Sequence, residues 1–171
     1  ANMTIIEGDD GLIIIDPLTM AETAKAALDL YYANRPHKPV VAVIYSHTHV
    51  DHFGGVRGVI DEADVKAGKV KVFAPAGFME HVMSENVMAG NAMSRRAQYQ
   101  FGSLLPRGEN GQVDAGLGKG IARGRVSLIA PTQVIVKPVE THTIAGVEIV
   151  GVRSCSKMPS PPASPSSGST V

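Results

Sequence analysis

The chain has 171 residues, 44% of them hydrophobic, the size and composition of one soluble globular domain. Sixteen basic residues balance sixteen acidic ones, which argues against nucleic acid or an anionic membrane surface as partner. One cysteine, Cys155, excludes an internal disulfide framework and a cysteine-rich zinc ribbon, so any metal must rely on histidines and carboxylates.

"MTIIE" and "GLIIID", joined by "GDDG", predict a hairpin of two short apolar strands. "TMAETAKAALDLYYANRP" predicts a helix, with Thr19 as its cap and Ala24, Ala27, Leu28, Tyr31 and Tyr32 at helical spacing. "PVVAVIYS" is a β-branched run of the kind found in a strand covered on both faces, and "KVKVFAP" repeats it after a short "DEADVKAG" connection. Strand, helix and strand in this order imply an α/β (α+β) domain with a sheet packed against helices.

From Ala76 to Leu105 the pattern is helical, with Met79, Met83 and Val87 along one side, the methionines as gap-filling core residues, and Gly90 as a weak point or break. The loop "RGENGQVDAGLGKGIARG" is not a nucleotide cradle, since Val113 and Gly120 stand where a phosphate-binding loop needs Gly and Ser or Thr. "RVSLIA", "QVIVKP", "ETHTIA" and "VEIVGV" predict four further strands. Ser and Pro dominate the last residues, which divides the chain into an ordered part, 1–150, and a tail, 151–171, expected to be disordered. No apolar run is long enough to span a membrane, and the first residues lack a signal peptide's pattern. The compartment stays open, because the chain opens on "ANMTIIEG" without an initiator methionine.

The chemistry gathers in "YSHTHVDHFGG", which holds three of the six histidines. Residues two apart on an extended chain point the same way, about 6–7 Å from one another, so His47 and His49 can converge on one ion. Asp51 and His52 fall where the strand gives way to a turn and can swing toward a second position beside the first. Imidazole and carboxylate suit zinc, and the glycines after Phe53 let the backbone fold tightly behind the ligands. The residues read as half of a two-metal centre. His37, His81 and His142 stand alone and are read as structural.

"HTHVDHFGG" after an apolar strand is similar to the His-x-His-x-Asp-His signature of the metallo-β-lactamase superfamily, and "NMTIIEGDDGLIIIDPL" resembles its opening hairpin. Within it, "AGNAMSRRAQYQFG" and "GLGKG" resemble the linear primary alkylsulfatases. The resemblance implies an αβ/βα sandwich present only in its N-terminal part, and a zinc-dependent hydrolase converting linear primary alkyl sulfates to alcohol and sulfate. It implies one zinc on His47 and His49 and a second on Asp51 and His52, with Asp51 also counted as catalytic. Two cations would acidify water and attract the sulfate head. Asp16 is placed to orient the ligand loop from behind. Arg95 or Arg96, and more distantly Tyr99, would contact the sulfate, because a guanidinium grips oxyanions in two-pronged fashion.

The family needs further carboxylate and histidine ligands after the "GVEIV" strand, then a dimerisation domain and a lipid-transfer-like domain. Residues 151–171 contain no His, Asp or Glu. A shifted reading frame, retained intron or mistaken gene model is the expected origin of the tail, and translation of the other frames tests it. The chain alone is therefore expected to bind metal weakly, to hydrolyse little and not to form the family's homodimer. The competing readings are another hydrolase of the same fold, acting on a lactam, thioester or phosphoester, and an inactive truncated product that binds a metal or a partner.

Overall fold

The structure is a computed structural model that describes residues 2–116, 118, 120 and 122–152. The opening hairpin forms as expected: β1 (Thr4–Glu7) pairs antiparallel with β2 (Leu12–Ile15). β3 (Val40–Ile44), β4 (Lys71–Pro75) and β5 (Gln133–Ile135) then add parallel to β2 and to one another, in the order β1-β2-β3-β4-β5. A second sheet consists of the antiparallel pair β6 (Val139–Ile144) and β7 (Val147–Val152).

Alternation along the central strands divides their side chains between two apolar layers. Leu12, Ile14, Val43, Val72 and Ala74 face Ala24 and Leu28 of α1 (Ala21–Tyr32), together with Phe53, Val56, Phe78 and Val82. Ile13, Ala42 and Phe73 face the other way, onto Ile144, Val147 and Ile149 of the β6–β7 hairpin. Each fully buried aliphatic side chain contributes about 1.5–3 kcal/mol. The strands are therefore held from both sides, and their C-terminal ends are a rigid base for a site.

Several local expectations change. α1 is capped at Met20 rather than Thr19, with no side-chain cap. The Ala21 N–H donates to the Arg125 carbonyl and the Glu22 carboxylate accepts from the Arg125 N–H, so a distant segment does the capping. "DEADVKAG" contains a short helix, α2 (Glu62–Lys66). "RVSLIA" forms no strand: its edge groups are used singly, Ser127 donating to the Gly54 carbonyl and Arg125 accepting from Ala21. Gly151 and Val152, assigned to the tail, close β7 against Glu140 and Val139. The rest of that tail lies outside the described residues.

The long helix is broken into α3 (Phe78–Met83), a π-helical turn (Ser84–Met88) and α4 (Gly90–Phe101), which ends at Gly102 in the left-handed conformation. The core role read for its apolar stripe is wrong beyond Met79: Met83, Val87 and Met88 are exposed, and no residue of α4 is buried. The π turn shifts the helical phase, so spacing that is continuous in sequence does not stay on one face. Among the described residues no helix is long and apolar enough to cross a membrane.

Candidate metal centre

β2 and β3 are neighbours, so the residues that follow them emerge side by side at one end of the sheet. Asp16 follows β2, with its N–H still bonded to the Ile44 carbonyl at 3.0 Å, and Tyr45-Ser46-His47 follow β3. Tyr45 is the anchor: it is buried, its ring stacks on Phe78 at 5.1 Å, and its hydroxyl donates to the Ile129 carbonyl at 3.1 Å. Burial pushes that phenol well above its ordinary range.

Asp16 is the one buried charged residue among those described. Its Oδ1 accepts the Ser46 N–H at 2.8 Å, and its Oδ2 accepts the Ser46 hydroxyl at 2.6 Å and faces His52 Nδ1 at 2.7 Å. Ser46 Oγ, having given its proton to Asp16, accepts from His47 Nδ1 at 2.9 Å. In the neutral rings of His47 and His52 this network places the proton on Nδ1 and leaves Nε2 as the atom with a lone pair to offer a metal. Asp16 and Leu18 both have positive φ, 57° and 60°, uncommon for residues with a Cβ. The turn between them aims the carboxylate at the loop.

His47 Nε2 lies 3.1 Å from His49 Nδ1, and Asp51 Oδ2 lies 3.4 Å from His52 Nε2. Two ligands at zinc's usual bond length and a tetrahedral angle stand about 3.3 Å apart. The two pairs thus have the spacing of two chelating edges, and the rings of His47 and His52 bring them together at a centroid distance of 4.0 Å. A different grouping is also within reach, since Asp16, His47 and His52 present donor atoms within 4.8 Å of one another. In that grouping both Asp16 oxygens already accept hydrogen bonds from the loop. Burial, and then the neighbouring His52 and His49, hold the His47 imidazole below its ordinary pKa. It therefore favours the neutral form.

Asp51 and His52 sit on a short 3-10 turn, Val50–His52, and Gly54 and Gly55 follow it. A Cβ on Gly55 would overlap the Pro17 carbonyl oxygen, and one on Gly54 the Thr19 carbonyl oxygen. Close approach of two backbones, rather than an unusual φ, is what demands glycine here.

Two of the four donors, His49 and Asp51, line a cavity of about 750 Å³ that is also lined by Glu85, Met93, Arg96 and Phe101. Arg96 is on this wall, whereas Arg95 and Tyr99 are not among the lining residues. At about 100° per residue, positions 93, 96, 97, 100 and 101 share one face of α4, and 95 and 99 fall on the opposite one. Tyr99 is largely exposed. His37 stacks on Tyr32 and His142 packs edge-on against Phe73, and neither lines this cavity. Three contributors had little signal in the sequence. Ser46 read only as the end of a strand, and Glu85 and Asn86 sat as ordinary polar residues in a methionine-rich helix.

Fold and donor cluster together define the class. Residues 1–153 match the metallo-beta-lactamase superfamily, and the chain belongs to it. The superfamily and the gathered donors point to use of a metal. Among its relatives, the chain is 66% identical over 150 residues to an (R)-specific secondary-alkylsulfatase of Pseudomonas sp., covering 87% of this chain and 23% of that protein. A linear primary-alkylsulfatase of Pseudomonas sp. is 65% identical over 147 residues, 86% of this chain and 22% of that one. An alkyl/aryl-sulfatase of Saccharomyces cerevisiae is 59% identical over 150 residues, with 88% and 23% covered. The solved structure of a stereoselective inverting sec-alkylsulfatase from Pseudomonas sp. superposes with a TM-score of 0.80 at 66% identity, covering 88% of this chain and 24% of that one. The chain thus spans less than a quarter of the length of these relatives.

Proposed function

We propose that this chain is the N-terminal part of the catalytic domain of a zinc-dependent alkylsulfatase, which hydrolyses alkyl sulfate esters to alcohol and sulfate. The observation that carries the reading is the pair of donor edges, 3.1 and 3.4 Å across, each with one member, His49 or Asp51, on the wall of a cavity that also holds Arg96. His47 with His49, and Asp51 with His52, would each hold one ion. Bound zinc supplies Lewis acidity toward the sulfate and lowers the pKa of water. The chain's own residues do the rest. Asp16 and Ser46 accept from Nδ1 of His52 and His47, so that in each neutral ring Nε2 is the atom that faces the ion. Arg96 receives the anionic head by paired hydrogen bonds. Leu18, Met93, Ala97 and Phe101 offer an apolar wall for the alkyl chain.

Four donors divided between two ions leave each with two protein contacts, short of the usual three or four. Zinc titration with dodecyl sulfate turnover tests the reading, on this chain and on a version continued past Val150 with the corresponding segment of a Pseudomonas relative. The expected result is binding weaker than micromolar and little turnover for the chain alone, with both restored in the continued version. A continued version that binds zinc and leaves alkyl sulfates intact would refute the proposal. Linear primary esters are the proposed substrates. Secondary esters are the second reading, favoured by the 66% identity to a secondary-alkylsulfatase, and a panel of both esters decides between them.

A further inference from the structure

The residue between the first two histidines is tied down from an unexpected side. Thr48 Oγ1 donates to Glu85 Oε2 at 2.6 Å, and Asn86 Nδ2 donates to the Thr48 carbonyl at 3.1 Å. The same Asn86 amide donates to the Val82 carbonyl at 3.0 Å, so its orientation is set by the helix it belongs to. Glu85 and Asn86 are consecutive residues of the π-helical turn. An α-helix places consecutive side chains about 100° apart, and the widened turn brings both onto one short segment 37 and 38 residues away. Thr48 is thus held at its side chain and at its main chain. On the far side, Ser46 is held at its N–H and its hydroxyl by Asp16. The backbone is therefore pinned on both sides of His47 and immediately before His49.

We propose that Glu85 and Asn86 are positioning residues for a metal on His47 and His49, acting through Thr48. The inference rests on the metal reading of those histidines. The two imidazoles meet at 3.1 Å across a bend at His47 and Thr48, closer than the about 6–7 Å that separates residues two apart on an extended chain. A clamp on the intervening residue limits the backbone twist that would separate them. Glu85 acts as a hydrogen-bond acceptor, so its charge is not what matters.

The test is calorimetric titration of zinc(II) into the full chain and its variants, at protein concentrations suited to binding weaker than micromolar. Glu85→Ala, Asn86→Ala and Thr48→Val should each weaken zinc binding about tenfold or more, the range for residues that orient metal ligands. Glu85→Gln should stay within about threefold of the parent, because its amide oxygen still accepts the Thr48 proton. Thr48→Val combined with Glu85→Ala should bind no more weakly than the worse single variant, since both break one contact. General destabilisation would instead give additive losses. Thr48→Val and Glu85→Gln preserve side-chain shape and carry the test if an alanine variant fails to fold. The clamp is overturned if Glu85→Ala and Asn86→Ala bind within twofold of the parent while His49→Ala loses binding. It is also overturned if Glu85→Gln loses as much as Glu85→Ala. Unchanged zinc binding by His47→Ala and His49→Ala would overturn the metal reading itself, and the clamp with it.

Discussion

At the scale of single residues, the site depends on one carboxylate. Asp16 bonds Ser46 twice and His52 once, and through Ser46 it reaches His47. Asp16→Ala should lower zinc affinity about 10–100-fold in the same titration, and Asp16→Asn by less, because the amide oxygen keeps one acceptor. The His47 imidazole, held below its ordinary pKa of 6.5 mainly by burial, predicts a direction with pH. Below about pH 6.5 the unfolded chain takes up this proton before the folded chain does, so stability falls as pH falls and is flat above. Metal affinity should follow the same course, since only the neutral ring ligates. Urea midpoints across that range check the first statement, and a smaller slope in His47→Ala assigns it. In the continued version, Arg96→Ala should raise KM for an alkyl sulfate about tenfold or more, and Arg95→Ala should leave it within twofold. The histidines were legible because their spacing is rare and chemically specific. Ser46, Glu85 and Asn86 were not, since each acts through one contact with a partner that only folding supplies.

At the scale of elements, apolar patterning located every strand of the main sheet, most directly β2, β3 and β4, because β-branched runs buried on both faces have few alternatives. It failed where a neighbour overrode a local preference. Thr19 has the chemistry of a cap, but the Arg125 carbonyl takes up the Ala21 N–H of the first turn of α1 from afar. "RVSLIA" has strand composition, but Ala21 and Gly54 take up its polar groups one at a time. Two substitutions test the packing. Gly55→Ala sets a methyl group against the Pro17 carbonyl and should cost about 1–3 kcal/mol or more by urea denaturation. Ala145, with φ 46°, stands in the two-residue turn between β6 and β7, where glycine is at ease. Ala145→Gly should therefore stabilise the chain by roughly 0.5–1 kcal/mol.

At the scale of the whole molecule, the wall that carries Arg96 is weakly supported. β2, β3 and β4 lie between two apolar layers, whereas α4 buries no side chain and meets the site through the π turn before it. Packing of this kind sets an order of opening. Backbone amides of α4 should exchange with deuterium orders of magnitude faster than those of the central strands, which open only when the chain unfolds. An alkyl chain lying along Met93, Ala97 and Phe101 would supply the packing that α4 lacks. The ligand would then act as part of the hydrophobic core, and slowed exchange confined to α4 on adding an alkyl sulfate would record its arrival.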